Sequence, residues 1–338
     1  MGKSLPLFSS PAPGTVAAMD LTEYDIILVN TSGGKDSQCQ MGVVVKMASE
    51  QGVLDCVTAV HADLGRMEHN GTMDLAREQA EAYGIPFVVV SRKQGDILDN
   101  TVQKHESIVR RDKRDKNGEL QVAWPDKANS WCTSEHKTAQ VMKLVTKLVD
   151  EFCVKTWGKK FSRGGDMPRP VRVLSCLGLR SAESGPRSER LAAMIAKEGH
   201  AIRKAHKGHS NGKRIVDEWF PIESWSTDEV WNFIHESGVR YAPTYDGNNA
   251  GDRKGMSRLS CTFCILASKR DLTISARNYP ELAQEYIKVE KLTGKTMRQD
   301  FSISELVEFA KTPEADELVA NVPAKQLPLP CDSFCEAA

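Results

Sequence analysis

Ile26-Ile27-Leu28-Val29 is a short apolar run held between Asp25 and Asn30, the pattern of a strand buried on both faces. Ser32-Gly33-Gly34 then turns the chain, and residues 41–47 continue as a helix toward Gly52. Cys56-Val57-Thr58-Ala59-Val60-His61-Ala62 predicts a second strand, ending at Asp63-Leu64-Gly65. Residues 71–83 have the spacing of an amphipathic helix and stop before Gly84-Ile85-Pro86; Phe87-Val88-Val89-Val90 predicts a third strand. Strand and helix thus alternate over residues 25–90. The expected fold class is α/β, a mostly parallel sheet with flanking helices and right-handed crossovers. Its ligand site belongs at the carboxyl ends of the strands.

After residue 95 the regularity weakens. Residues 104–116 are heavily charged, end at Asn117-Gly118 and read as a surface excursion. Residues 135–149 predict a helix, and residues 171–177 a strand opening into Gly178-Leu179-Arg180. Trp219-Phe220-Pro221-Ile222 is strand-like, residues 227–237 are helical with Thr227 as cap, and residues 281–319 form two helical pieces. The expected organisation is a flexible segment over 1–20, an α/β domain over 21–235, a smaller helical part over 236–322, and a mobile Cys-containing tail over 323–338.

The composition narrows the function classes. The 338 residues are 40% hydrophobic and 27% charged, which excludes a disordered chain. No run of ~18 apolar residues is present, so no membrane partner is expected. Lys+Arg and Asp+Glu both number 45, so a case for nucleic acid rests on local patches. Lys155, Lys159, Lys160, Arg163, Arg169 and Arg172 form one basic stretch and residues 197–214 another. On one face they would offer a polynucleotide track; otherwise they are solvated loops. His200, His206 and His209 read as surface residues rather than ligands. The nine cysteines are odd in number and no secretory signal precedes them. A reducing compartment, the cytoplasm, with metal-binding or redox cysteines fits better than a disulfide framework.

Two constellations carry chemistry. In Ser32-Gly33-Gly34-Lys35-Asp36-Ser37 the glycines let backbone approach a phosphate, and the new helix offers free N–H groups and its positive dipole end. Ser32 and Ser37 add hydroxyl donors and Lys35 a charge; Asp36 either orients the loop or helps to hold Mg²⁺. Cys261-Thr262-Phe263-Cys264 is half a metal site. Zinc would want two more nearby ligands, and a redox pair would open a helix. An iron–sulfur cluster collects ligands from distant segments.

The Ser32–Ser37 string resembles the pyrophosphate-loop signature of the adenine nucleotide alpha hydrolase superfamily, which includes ATP pyrophosphatases, ATP sulfurylase small subunits and tRNA thiolation enzymes. Asp63 with Gly65 resembles its Asp-x-Gly position near the nucleotide. Trp131-Cys132-Thr133-Ser134-Glu135-His136-Lys137 is similar to the Cys-Cys-x-x-x-Lys segment of phosphosulfate reductases. Gly178, Arg180 and Ser184 match their Gly-x-Arg-x-x-x-Ser segment, and the Trp219 to Asp246 track and Cys261/Cys264 follow in the same order.

The resemblance implies ATP and Mg²⁺ at residues 32–37, with Asp63, Gly178 and Arg180 beside the nucleotide. It implies a [4Fe-4S] cluster on Cys132, Cys261 and Cys264, with Arg180 and Arg187 contacting phosphate or substrate. Two departures matter. Thr133 replaces the second adjacent cysteine, so the fourth iron is held by Cys176 or left open for sulfur, Cys176 otherwise being a buried hydrophobe. The tail carries Cys331 and Cys335 in place of the reductase nucleophile, and either could attack sulfur as thiolate.

The intact loop favours ATP-dependent sulfur transfer, as in the DNA phosphorothioation sulfurtransferase branch. Lys35, Asp36, Arg180, Cys331 and Cys335 are then the catalytic candidates. A sulfur donor such as a cysteine desulfurase, a nucleic-acid acceptor and a homo-oligomer are the expected partners. The alternatives are an adenylyl-sulfate reductase using thioredoxin, and a nucleotide-binding module without turnover.

Overall fold

A computed structural model describes residues 19–158, 167–246 and 255–320. Most of the 1–20 segment, Lys159, Lys160 and Arg163 of the first basic stretch, and Cys331 and Cys335 of the tail lie outside the described residues.

Chain order runs β1 (Ile26–Thr31), α1 (Lys35–Glu50), β2 (Val57–Asp63), α2 (Thr72–Ala82), β3 (Phe87–Ser91) and α3 (Ile97–Arg110). Next come a short turn α4 (Trp131–Thr133), a π-helical turn at Ser134–Thr138, α5 (Ala139–Trp157), β4 (Val171–Cys176), α6 (Gly185–Glu198), β5 (Ile202–Arg203), β6 (Arg214–Trp219) and α7 (Thr227–Ser237). The last helices are α8 (Lys269–Asn278), α9 (Pro280–Thr293), α10 (Ile303–Phe309) and α11 (Pro313–Ala320).

The six strands lie in the order β3-β2-β1-β4-β6-β5. All pairings are parallel except β5 with β6. β1 is central and buried on both faces. Ile27 and Val29 pack with Met41 and Val44 of α1, while Ile26 and Leu28 pack with Val141 and Val145 of α5. Each fully buried aliphatic side chain of this kind contributes about 1.5–3 kcal/mol. From β1 the chain moves outward to β2 and β3, then returns to β4 on the other side. The carboxyl edge of β1 and β4 is therefore the switch point at which such sheets open a crevice. A second core lies off the sheet, where Leu64, Met67, Ile97, Leu98, Trp124 and Trp131 meet α8, α9 and α10.

Several element expectations change. The charged stretch 104–116 begins inside α3, whose capping box pairs Asp96 with Asp99. Ile97, Leu98, Asn100, Thr101 and Ile108 are its buried positions, none of them charged. The 135–149 helix starts as the π turn and extends to Trp157. The cap of α7 is Ser226, which accepts from Glu229 N–H. The strand signal at Trp219 is the end of β6. Its polar interior hid it: Asp217 accepts from Tyr24 Oη at 2.8 Å and from Ala205 N–H at 2.7 Å. Residues 281–319 form three helices, and α8 precedes them. Among the described residues no helix is long and apolar enough to cross a membrane.

Candidate active site

The phosphate-loop candidate sits where β1 meets α1. Gly33 has φ +71°, and a Cβ there would lie 3.0 Å from the Thr72 carbonyl oxygen. A Cβ on Gly34 would meet the Tyr245 hydroxyl at 3.2 Å. The loop is laced internally. Ser37 Oγ donates to the Gly34 carbonyl at 2.9 Å and accepts from Ser32 N–H at 3.2 Å; Gly33 N–H reaches Thr31 Oγ1 at 3.2 Å. Tyr245 Oη accepts from Lys35 N–H at 3.1 Å and so caps the N-terminus of α1. The 16-residue helix behind it focuses positive potential on this turn.

Lys35 is buried and Asp36 nearly so, its side chain 15% exposed. Lys35 Nζ lies 3.2 Å from Asp36 Oδ2 and donates to the Ser257 carbonyl at 3.3 Å. Arg180, 2% exposed, donates its Nε to Asp36 Oδ1 at 2.6 Å and its Nη1 to the Trp225 carbonyl at 3.0 Å. Burial works to raise the Asp36 carboxyl, but the Lys35 and Arg180 cations outweigh it and hold it below the usual carboxylate range. Burial likewise works against the charged Lys35, and Tyr245 and Asp36 reverse it, so the ammonium is favoured. Asp36 thus orients the loop by bridging two cations. Arg180 is spent on that bridge and on a backbone carbonyl. Gly178 explains the tightness: a Cβ there would fall 2.7 Å from the Asp36 carbonyl oxygen and 3.0 Å from Ser37 N.

A cationic rim surrounds this turn. The Arg187 guanidinium touches Glu183. It is pushed down to about 10 by burial, then by the repelling Arg258 and Arg190. An anion here would relieve that repulsion. Asp63 ends β2, where its Oδ1 accepts from Gly65 N–H at 2.8 Å and shapes the turn.

The second constellation forms around Lys137. Cys132 lies in α4, Lys137 in the following π turn, and Cys261 and Cys264 in the turn before α8. Thr262 fixes that turn: its N–H and hydroxyl both reach the Met67 carbonyl, at 2.8 and 3.2 Å. All three cysteines pack against the second core. Burial works against the Lys137 ammonium, and Cys261, Cys264, Cys132 and Glu68 together hold it charged. Burial pushes the Cys261 thiol up to about 12; Lys137 opposes this, while Cys264, Cys132 and Glu68 add to it. The three thiols and one ammonium therefore share one electrostatic neighbourhood.

This donor set fits an iron–sulfur cluster. All-thiol ligands suit iron and sulfide, and Lys137 offsets the negative charge that such a group brings. Among the described residues the three sulfurs do not form a group within 4.8 Å of one another, as ligands of a single ion would. A multi-iron group spreads its ligands over several irons.

Cys176 does not join them. It is wholly buried in β4, beside Val29 of β1, in the core formed with α1. Burial alone raises its thiol well above the ordinary range. Of the two roles open to it, cluster ligand or small buried hydrophobe, its burial in this core matches the second.

The two constellations are linked by a pair that sequence reasoning did not single out. His61 Nδ1 donates to the Thr31 carbonyl at 3.0 Å, and His61 Nε2 lies 3.1 Å from Glu68 Oε2. Thr31 ends β1 just before the glycine turn, and Glu68 acts on Lys137. The available signal was His61 in an otherwise apolar strand, with Glu68 past the turn.

Residues 26–267 match the family described as the phosphoadenosine phosphosulfate reductase domain. The chain belongs to that family. An uncharacterized protein of Methanocaldococcus jannaschii is 26% identical over 273 residues, 79% of this chain and 48% of that protein. The chain thus spans about half the length of that curated relative. Among solved structures it is similar to phosphoadenylyl-sulfate reductase from Candida auris in a phosphate complex. Identity is 15%, coverage 67% of this chain and 79% of that one, and TM-score 0.35. It is also similar to the U34-tRNA thiolase NcsA from Methanococcus maripaludis with its [4Fe-4S] cluster. There identity is 14%, coverage 91% and 76%, and TM-score 0.35.

Proposed function

We propose that the protein is an ATP-dependent sulfurtransferase that activates its acceptor by adenylylation. The observation supporting this most directly is that the segment leading into Cys261 packs on the glycine turn: Leu259 Cβ would lie 3.4 Å from a Cβ on Gly34, and the Ser257 carbonyl accepts from Lys35 Nζ at 3.3 Å. Residues 32–37 hold the β- and γ-phosphates, with Lys35 and the helix N-terminus taking up charge and Mg²⁺ bound chiefly by the phosphates. An acceptor oxygen attacks the α-phosphorus, the bond to the bridging oxygen breaks, and pyrophosphate leaves. A sulfur nucleophile then attacks the atom bearing that oxygen, and AMP departs with it. A cluster bound by Cys132, Cys261 and Cys264 would supply a place to hold sulfur. Arg187 binds anionic substrate at the rim, while Arg180 and Asp36 position the loop. The sulfur donor is a persulfide carrier such as a cysteine desulfurase: its outer sulfur makes the attack, and a second thiol then cleaves the disulfide so formed, leaving sulfur on the acceptor and the carrier in a disulfide with that thiol; a nucleic acid is the proposed acceptor.

The family itself favours a second reading, reduction of an adenylyl sulfate to sulfite with thioredoxin or another thiol as reductant. Cys331 or Cys335 would then be the attacking thiolate. One experiment separates the two. Protein purified without oxygen is assayed for iron and sulfide, for pyrophosphate release from ATP, and for sulfite release from adenylyl sulfates. Pyrophosphate without sulfite supports the transferase; sulfite without pyrophosphate overturns it in favour of the reductase. Lys35→Ala should abolish nucleotide turnover with the visible spectrum intact, and Cys261→Ser or Cys264→Ser should remove the spectrum. Colourless, iron-free protein that binds zinc at these thiols would end the cluster assignment.

A further inference from the structure

Away from both constellations, at the edge of the sheet, His206, His209 and Glu218 each offer a ligand atom, and these atoms all lie within 4.8 Å of one another. His209 Nδ1 is buried without a hydrogen-bond partner, 3.5 Å from Glu218 Oε1. A buried polar atom left unpaired in a folded protein calls for an unseen water or ion.

The surroundings hold these groups in place. Arg203 Nη1 donates to Glu218 Oε2 at 2.8 Å, which orients the carboxylate and leaves its other oxygen facing His209. Arg214 Nε donates to the His209 carbonyl at 2.9 Å, and His206 N–H to the Val216 carbonyl at 2.9 Å. The two imidazole rings stack with centroids 3.9 Å apart, and one ring turns out of that stack for both to direct a nitrogen at a single ion. Gly208 N–H rests on His206 Nδ1 at 3.2 Å, a contact that an ion on that nitrogen would replace.

We infer that His206, His209 and Glu218 bind one divalent transition ion of the zinc class. Two imidazoles and one carboxylate suit zinc, whereas Mg²⁺ and Ca²⁺ want oxygen donors throughout. Three protein ligands leave one coordination position for water or a passing anion. The ion fastens the loop between β5 and β6, with its Lys204, Lys207 and Lys213, to β6. It is a second metal site, unrelated in ligands and position to the thiol nest.

The test uses the full chain purified without oxygen and titrated with Zn²⁺ alone. Zinc-edge X-ray absorption reports the ligand atoms. The inference expects a first shell of nitrogen and oxygen only, at about 2.0–2.2 Å, without the sulfur shell near ~2.3 Å that cysteine binding gives. Zn²⁺ should also raise the Tm. His209→Gln and Glu218→Gln, chosen to keep volume, should weaken zinc binding by more than about 100-fold, beyond the cost of losing an outer-shell partner. Circular dichroism at 25 °C checks that both variants are folded, and His206→Gln serves as a third if one is not. No zinc uptake, a sulfur shell, or equal affinity in wild type and folded variants would overturn the inference.

Discussion

Arg180, in the loop after β4, grips Asp36, the second residue of α1, with Nε 2.6 Å from Oδ1. Asp36 is also ion-paired with Lys35, so one carboxylate separates two cations in a buried corner. Asp36→Asn leaves both uncompensated, and breaking a buried pair in this way costs about 3–5 kcal/mol. Chemical denaturation should show the unfolding midpoint fall sharply. A variant as stable as wild type would show the corner to be solvated.

Gly178 has no room for a side chain. Gly178→Ala places its Cβ 2.7 Å from a backbone oxygen of the phosphate loop, and backbone cannot swing aside as a flexible side chain can. The expected result is a protein destabilised by about 1–3 kcal/mol, typical of overpacking, with nucleotide affinity reduced beyond what stability accounts for. Calorimetric titration with ATP checks this; unchanged affinity would show that the loop tolerates the shift.

The cysteines divide into two sets. Cys132→Ser, Cys261→Ser and Cys264→Ser should each lose bound iron after anaerobic purification. Cys176→Ser should keep it while losing about 1–3 kcal/mol of stability, the cost of a hydroxyl in an apolar core. Iron lost from the Cys176 variant alone would reverse the assignment.

Acid lability should come in part from His69. Its ring is 3% exposed and is pushed down from 6.5 to about 4 by burial, with Asp271 opposing. Below about pH 6.5 the unfolded chain takes up a proton that the folded chain refuses until about pH 4. Stability therefore falls across that window, by about 3 kcal/mol for this group, and no further below it. Urea midpoints at pH 7.5 and 4.5 measure the slope, and His69→Gln should flatten it. An equal slope in wild type and variant would assign the lability elsewhere.

Much of the fold was legible because β1, β2 and β3 are nearly uniform apolar runs separated by glycine turns. The glycine turn itself was legible through its string and its position between β1 and α1. β6 was obscure because Asp217 and Glu218, polar in sequence, are buried and paired. α3 was obscure because its outward face carries the charge that dominates a linear reading. Lys137 and Glu68 could not be ranked, since their importance arises only when segments 130 residues apart meet. The same holds of His206 and His209, which gain Glu218 as a neighbour only once β6 is in place.

The Lys35 ammonium that a nucleotide would recruit is already engaged with the Ser257 carbonyl. Ser257 is in turn held by Asp271 of α8, through its N–H at 3.1 Å and its hydroxyl at 2.5 Å. Helix α8 starts five residues after Cys264. Lys35 of the glycine turn and Asp271 of α8 thus share one go-between, Ser257, so a shift of either is felt by the backbone of the other.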